Sequence, residues 1–391
     1  MASSDLQPLP LPQGVESHYV RSPANDLTYH FLAAGRRGDP LVFLLHGFPE
    51  TSFCWRHVMA PIAAKGYFVV APDTRGSGRT TTEQTMAYTE AGDELRQYQM
   101  TYVVRDLVVL LAALGYSKVH CLVGHDAGAV LAAWLALARP DMVQRLIVAS
   151  HPYTGPAGVP KDLPFDKTDA PQQKQKGRDV HDDLLELQPP RKHYKWYYSG
   201  PEAADNMHCS SKKSLLEFIQ GYYFLKSASW KGNTPHPLES WTAPEIAKMP
   251  LYYVMPAEGG MREAVEQQLA GEAADCSGWM TADEMKAMAG EWWRTGFQGA
   301  LNYYRVTTGT TPWQKDQGAF AGAKLAMPTV MMLGRQDWGS YQQPGVLETI
   351  GERCEDYRGE RWIEDAGHWM QQEKPAEVID CILKMCAGEG R

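Results

Sequence analysis

The sequence predicts an α/β fold: a mostly parallel sheet flanked by helices and interrupted by an inserted, mostly helical segment. Short continuous apolar runs alternate with helical patterns through the first 150 residues. That pattern breaks after Ser150 and returns near residue 324 for two further runs and a closing helix. Continuous runs suit parallel strands covered on both faces, where alternating ones would mark a half-exposed sheet. Strand, helix, strand, helix order then builds the layered architecture.

The elements follow in chain order. "PLVFLLHG" (40–47) is the first strong strand, followed by a helix in "SFCWRHVMAPIAAKG". "YFVVAPD" (67–73) is the next strand, followed by the helix "MTYVVRDLVVLLAALG", stopped at glycine. "VHCLVGHD" (119–126) leads into "AGAVLAAWLALARP", and "RLIVAS" (145–150) closes the first part. The expected boundaries are 1–150 for the first part of the core, 151–323 for a helical cap and 324–391 for the second part of the core. The cap opens with the surface excursion "PAGVPKDLPFDKTDAPQQKQKGRDVHDD". It continues through Tyr- and Trp-rich text with helices in "SSKKSLLEFIQGYYFL" and "TADEMKAMAGEWWRTGF". The core resumes with "MPTVMMLG" (327–334), "GERWIEDAG" (359–367) and the helix "KPAEVIDCILKMC".

Composition excludes several function classes. A net charge of -8 disfavours nucleic acid as a partner. Seven dispersed cysteines with no CxxC pair argue against a disulfide framework and a zinc site. The 12 histidines show no metal-ligand spacing, and no phosphate-binding glycine motif follows a strand, so neither metal nor cofactor is expected. The N-terminus lacks the charged and apolar regions of a signal peptide, and no apolar run is long enough to span a membrane. A cytoplasmic location is the expectation.

The chemistry is read first from "VGHDAGAV" (123–130), which has the outline of a nucleophile elbow with Asp126 at the serine position. Gly124 and Gly128 flank it and let strand and helix pack closely. Aspartate is also a favoured helix N-cap, and that reading stands beside the catalytic one. "HGFPE" (46–50) follows the first strong strand, where such folds place a second oxyanion donor, here the Phe48 N–H. The other donor would be Ala127 N–H. His368, in "EDAGHWMQQEKP", follows the last strand and could reach back over the sheet edge; it could equally be a surface loop histidine. Asp337, in "LGRQDWGS", completes the order nucleophile, acid, histidine. Asp365 is a rival acid but lies only three residues before His368. Asp73 and Arg75 of "DTRGSG" are assigned structural roles beside the oxyanion hole.

Together, "HGFPE", "DTRGSGRT", "GHDAGA", "LNYYR" and "EDAGHWMQQEKP" resemble the soluble epoxide hydrolases of the α/β-hydrolase fold superfamily. The resemblance covers core and insertion. It implies an α/β core with a helical cap, an alkyl-aspartyl ester at Asp126, water activation by His368 with Asp337, and two cap tyrosines aimed at the nucleophile. Tyr304 matches the second tyrosine motif in "GFQGALNYYRV". Tyr194 in "RKHYKWYYSGPE" matches the first, with Tyr197 and Tyr198 close by. The alternative is that these rings are simply cap packing. The implied partner is a small apolar epoxide, and homo-oligomerisation stays open. Where the family often has Trp and two glycines after the nucleophile, this chain has Ala127, Gly128 and Ala129, which should enlarge the pocket. Two rival readings remain: a haloalkane or haloacid dehalogenase with the same Asp-His-Asp set, and a non-hydrolytic relative such as a cyclase or ligand receptor. The dehalogenase would need halide-binding side-chain donors that Phe48 and Ala127 lack.

Overall fold

The computed structural model describes residues 6–83, 86–88, 93–156, 179–308 and 312–389. Most of the excursion expected after Ser150 therefore lies outside the described residues. The main sheet contains β1 (Glu16–Ser22), β2 (Leu27–Ala34), β3 (Leu41–Leu45), β4 (Phe68–Pro72), the two-residue β5 (Thr81–Thr82), β6 (Cys121–His125), β7 (Leu146–Ala149), β10 (Leu325–Gly334) and β11 (Cys354–Ile363). Between β7 and β10, β8 (Arg191–His193) and β9 (Val254–Pro256) form a separate antiparallel ladder among helices. The sheet order is β1-β2-β4-β3-β6-β7-β10-β11, with β5 against β2. From β4 to β11 every pairing is parallel; β1, β2 and β5 pair antiparallel.

The central strands are buried throughout, as continuous apolar runs require. One side of the sheet packs on helices Met100–Ala113 and Ala127–Ala138 through Phe43, Leu122, Leu135 and Leu146. The other packs on Arg56–Ala63 and Pro375–Cys386 through Val42, Val123, Val58 and Ile382. Two features differ from the sequence reading. The strands β1 and β2 lie before the first expected strand; β1 is only partly buried, and its mixed sequence "ESHYVRS" hides its period. The last strand starts at Cys354 rather than 359 and ends before "EDAG". It is an edge strand, so charged side chains are tolerated along it and obscure the pattern.

The inserted segment has its own core of Tyr194, Tyr198, Tyr222, Tyr253, Met288 and Trp292. Its helix Lys212–Lys226 starts on a Ser211–Ser214 capping box, and Ala282–Thr295 on a Thr281–Glu284 box. This core joins the sheet's loops through specific bonds. Trp292 Nε1 donates to the Pro49 carbonyl at 2.8 Å, and fully buried Arg56 bridges Glu284 (2.7 Å) and Gln372 (2.8 Å). Among the described residues no helix is long and apolar enough to cross a membrane.

Candidate active site

Asp126 sits between the end of β6 and the first residue of helix Ala127–Ala138. Its backbone has φ 54 and ψ -119, a conformation that costs a non-glycine residue roughly 1–3 kcal/mol. Such strain persists only where the surroundings enforce it, as the turn's two glycines do. A Cβ on Gly124 would run into the Gly128 carbonyl, and one on Gly128 would run into the carbonyls of Leu45 and His46. The carboxylate thus stands at the C-terminal edge of the central strands, where open α/β sheets place ligands.

Around it the sequence-predicted residues assemble. Phe48 N–H donates to Asp126 Oδ1 at 3.0 Å. His368 Nε2 lies 3.7 Å from Asp126 Oδ2. His368 Nδ1 faces both oxygens of Asp337 at 3.1 Å. Asp365 projects outward, exposed, 4.0 Å from Lys374, so the rival acid is not beside the imidazole. Ala127 opens the helix that follows Asp126, and no bond from its N–H to the carboxylate is formed. The "HGFPE" loop is pinned from behind: His46 Nε2 accepts from Thr74 N–H at 3.1 Å, so its Nδ1–H donates to the Gly47 carbonyl at 2.8 Å. Asp73 accepts from Ser52 N–H (2.8 Å) and Arg79 N–H (2.7 Å), while Arg75 pairs with Asp106 (2.7 Å).

A cavity of about 300 Å³ opens over Asp126 and Ala127. Tyr194 and Tyr304 both line it, with ring centroids 6.1 Å apart. The Tyr194 hydroxyl donates to Gln342 Oε1 at 2.9 Å. Tyr197 and Tyr198 do not line it; their hydroxyls bond Asn206 and Tyr222. A larger groove of about 760 Å³ runs along β11 and the C-terminal helix among charged side chains, away from all these groups.

Electrostatics separates the groups by role. Burial alone would raise the Asp126 carboxyl; His368, Lys226, His125 and the Phe48 N–H together hold it well below the usual carboxylate range. Burial, then the Lys226 charge, lowers His368 despite the opposing Asp337. Asp337, whose burial opposes ionisation, is kept low by His368, Ser150 and the Gly339 N–H. Burial and the Asp126 charge push both Tyr194 and Tyr304 well above the ordinary phenol range. The resting arrangement is an ionised aspartate, a neutral imidazole and two protonated phenols.

Several contributors escaped the sequence reading. Ser150 bonds both Asp337 and His368 Nδ1, at 2.9 Å to the latter. His125 Nε2 donates to the His368 carbonyl at 2.7 Å and its Nδ1 pairs with fully buried Glu50 at 3.0 Å. Burial would lower His125, but Glu50 raises it, and the ring is locked in place between Glu50 and the His368 carbonyl. Glu50 also accepts from Gln371 (2.8 Å) and Gln372 (2.7 Å), which explains why "HGFPE" and "HWMQQEKP" belong together. Buried Lys226 lies over the rings of Tyr222, Tyr253 and Trp369, at 4.8 Å from the Tyr253 centroid. Its signal was a lysine closing the apolar helix run "IQGYYFLK".

Residues 40–180 match the family model described as alpha/beta hydrolase fold. Epoxide hydrolase B of Mycobacterium tuberculosis is 29% identical over 357 residues, spanning 89% of this chain and 92% of that protein. A solved epoxide hydrolase from an endophytic Streptomyces superposes with a TM-score of 0.72 at 25% identity over 96% of either chain. Epoxide Hydrolase A of Mycobacterium thermoresistibile gives 0.68 at 27%, covering 96% of this chain and 98% of that one. On its sheet order, its strand-to-helix elbow and these matches, the chain has the α/β-hydrolase fold and resembles the epoxide hydrolases over nearly its whole length.

Proposed function

We propose that this protein opens an epoxide to a vicinal diol through a covalent ester on Asp126. The observation that carries this reading is one cavity bounded by an ionised aspartate elbow and by two protonated tyrosines, with a histidine–aspartate pair behind the carboxylate. Serine in the elbow would need an acyl carbon; a carboxylate attacks an alkyl carbon instead.

Asp126 Oδ1 is held by Phe48 N–H, which leaves Oδ2 as the attacking atom. Its lone pair forms the new C–O bond as the ring C–O bond breaks. The departing oxygen takes a proton from Tyr194 or Tyr304. Their raised pKa values keep the phenols protonated until charge develops on that oxygen. In the second half, His368 Nε2 removes a proton from water and the hydroxide adds to the ester carbonyl. Asp337 orients the imidazole and stabilises its cation. The oxyanion forms on Oδ1, which Phe48 N–H already holds; Ala127 N–H, at the positive end of its helix, is the second donor. Collapse breaks the bond to the substrate oxygen, which takes back the proton from His368, and the proton left on the Asp126 carboxyl returns to the tyrosinate, so that the diol leaves and carboxylate, imidazole and phenol are all restored. Release of a vicinal diol, with no halide requirement, separates this reading from the dehalogenase, cyclase and receptor alternatives.

His368→Gln should form the ester and stall. Intact-protein mass spectrometry after exposure to an aryl or alkyl epoxide should show one added substrate mass, absent in His368→Gln combined with Asp126→Asn. Unimpaired turnover by Asp126→Ala would sink the proposal.

A further inference from the structure

Lys195 stands directly after Tyr194 and lines the same cavity as Asp126. Its ammonium lies 3.2 Å from His151 Nε2 and 5.9 Å from the centroid of the Tyr194 ring. The tautomer of His151 follows from its other contact. Nδ1 faces the Pro152 carbonyl at 3.0 Å, which can only accept, so Nδ1 carries the hydrogen and Nε2 accepts from Lys195. Burial and the Lys195 charge hold His151 down to about 4, so it is neutral. It therefore orients the ammonium without neutralising it. Among the described residues, no carboxylate reaches ion-pairing distance of Lys195. Lys195 is half-buried, and burial, opposed by the Asp126 charge, lowers it to about 8, so it keeps its charge at neutral pH; an ammonium drawn partly out of water is costly unless that charge is met. His151 takes one of its three N–H donors; the other two remain for a ligand.

The surroundings show where such a ligand would lie. Met100, Val130 and Leu131 form an apolar wall of the cavity. Thr307 and Trp196 are exposed and mark its mouth. Lys195 is a neighbour in sequence of the tyrosine proposed to hold the oxirane oxygen, so a charge on the substrate would sit only a few bonds from the ring.

We propose that Lys195, oriented by His151, forms an anion subsite, and that the substrates are compact epoxides carrying a carboxylate near the oxirane. This rests on the epoxide-opening reading for the identity of the reacting group, but the subsite itself concerns binding and can be measured without turnover. The carboxylate accepts two charge-assisted hydrogen bonds from the ammonium, and the apolar wall takes the remaining hydrocarbon. Asp126 is a like charge in the same cavity. It makes carboxylate binding depend on the lysine and orients the substrate with its anionic end away from the nucleophile.

The test uses the full chain. Calorimetric binding of hydrocinnamate and of its amide should favour the acid by about ten-fold or more in the wild type. Lys195→Met should erase that preference while the amide still binds, and Lys195→Arg should keep part of it. Equal binding of acid and amide by the wild type would overturn the subsite. So would an unchanged preference in Lys195→Met, or equal loss of both ligands, which would assign the lysine to shape rather than charge. Turnover of phenylglycidate against its amide then separates the two proposals. If the acid binds through Lys195 and neither epoxide is opened, the subsite stands and the epoxide reading falls. If both are opened with equal kcat/KM, the epoxide reading stands and the subsite falls.

Discussion

Tyr194 and Tyr304, the first buried and the second half-buried beside Asp126, differ in how their hydroxyls are held. Gln342 fixes the Tyr194 hydroxyl at 2.9 Å from its amide oxygen, whereas Tyr304 packs its ring against Phe48 and Tyr198. In the proposed ring opening the Tyr194 hydroxyl turns from Gln342 to the departing oxygen that Tyr304 also meets, so the two donors are partly redundant and their losses should not add. Tyr304→Phe is expected to slow ester formation by about ten- to a hundred-fold and to leave ester hydrolysis nearly unchanged, with the double Phe variant almost inactive. Stopped-flow single turnovers read both steps; equal slowing of hydrolysis would remove the tyrosine from the ring-opening role. Lys226 makes a second residue-scale prediction. Burial and then its charge lower His368, so Lys226→Met should raise the His368 pKa, in an environment otherwise set by Asp337 and His125, with Asp126 facing Nε2 at 3.7 Å. The acidic limb of ester hydrolysis should then move to higher pH. An unmoved limb would show that the lysine only fills its aromatic cage.

At the scale of elements, the legible part of the site was the part contiguous in sequence. Asp126 is announced by a strand, a turn and a helix within a dozen residues, and the glycines that permit the turn sit at fixed offsets. His368 and Asp337 could be placed because each follows a strand, and chain order then orders them. The choice of Asp337 over Asp365 already rested on reach, and the outward course of Asp365 agrees with it. Ser150, Gln342 and Lys226 come from three separate elements and carry no motif; only the folded topology brings them to the same point. The strands β1 and β11 were blurred for a related reason, since sheet edges relax the apolar pattern. The loop that presents His368 shows what such hidden partners do. Glu373 accepts from Gly367 N–H (3.0 Å), Trp369 N–H (3.0 Å) and Ala228 N–H (2.8 Å), clamping the histidine on both sides. Burial nevertheless pushes its carboxyl up to about 7. The folded state binds this proton more tightly than the unfolded chain, whose glutamate titrates near about 4.3. Its contribution is therefore fully present below that value and is lost as pH rises through about 7. Thermal melts should show stability falling between pH ~4 and ~7, with a shallower fall in Glu373→Gln. Parallel curves for the two proteins would refute the assignment.

Across the whole molecule, Asp126 and the two tyrosines come from different parts of the fold, and the proposed reaction needs them held in one frame. The sheet supplies Asp126, while the inserted segment supplies Tyr194 and Tyr304. Arg56 is one of the joints between them. It is fully buried beside the sheet, donates to Gln372 in the segment after His368, and pairs with Glu284 on the helix Ala282–Thr295 of the insertion. Glu284, which burial alone would raise, is held down to about 2 by this pairing and by the Thr281 cap. Removing one member of a buried pair strands the other's charge, which typically costs about 3–5 kcal/mol. Arg56→Met should therefore destabilise the protein by an amount in that range, and Arg56→Met with Glu284→Met should recover part of it, because two apolar groups leave no charge unpaired. Denaturant unfolding measures both. The functional expectation is separate: the single variant should slow ester formation, which needs both cores, more than ester hydrolysis, which needs only sheet-borne Asp126, His368, Asp337 and Phe48. Equal slowing of the two steps would mean that Arg56 supports the sheet side alone and that other contacts, such as Trp292 to Pro49, set the distance between tyrosine and aspartate.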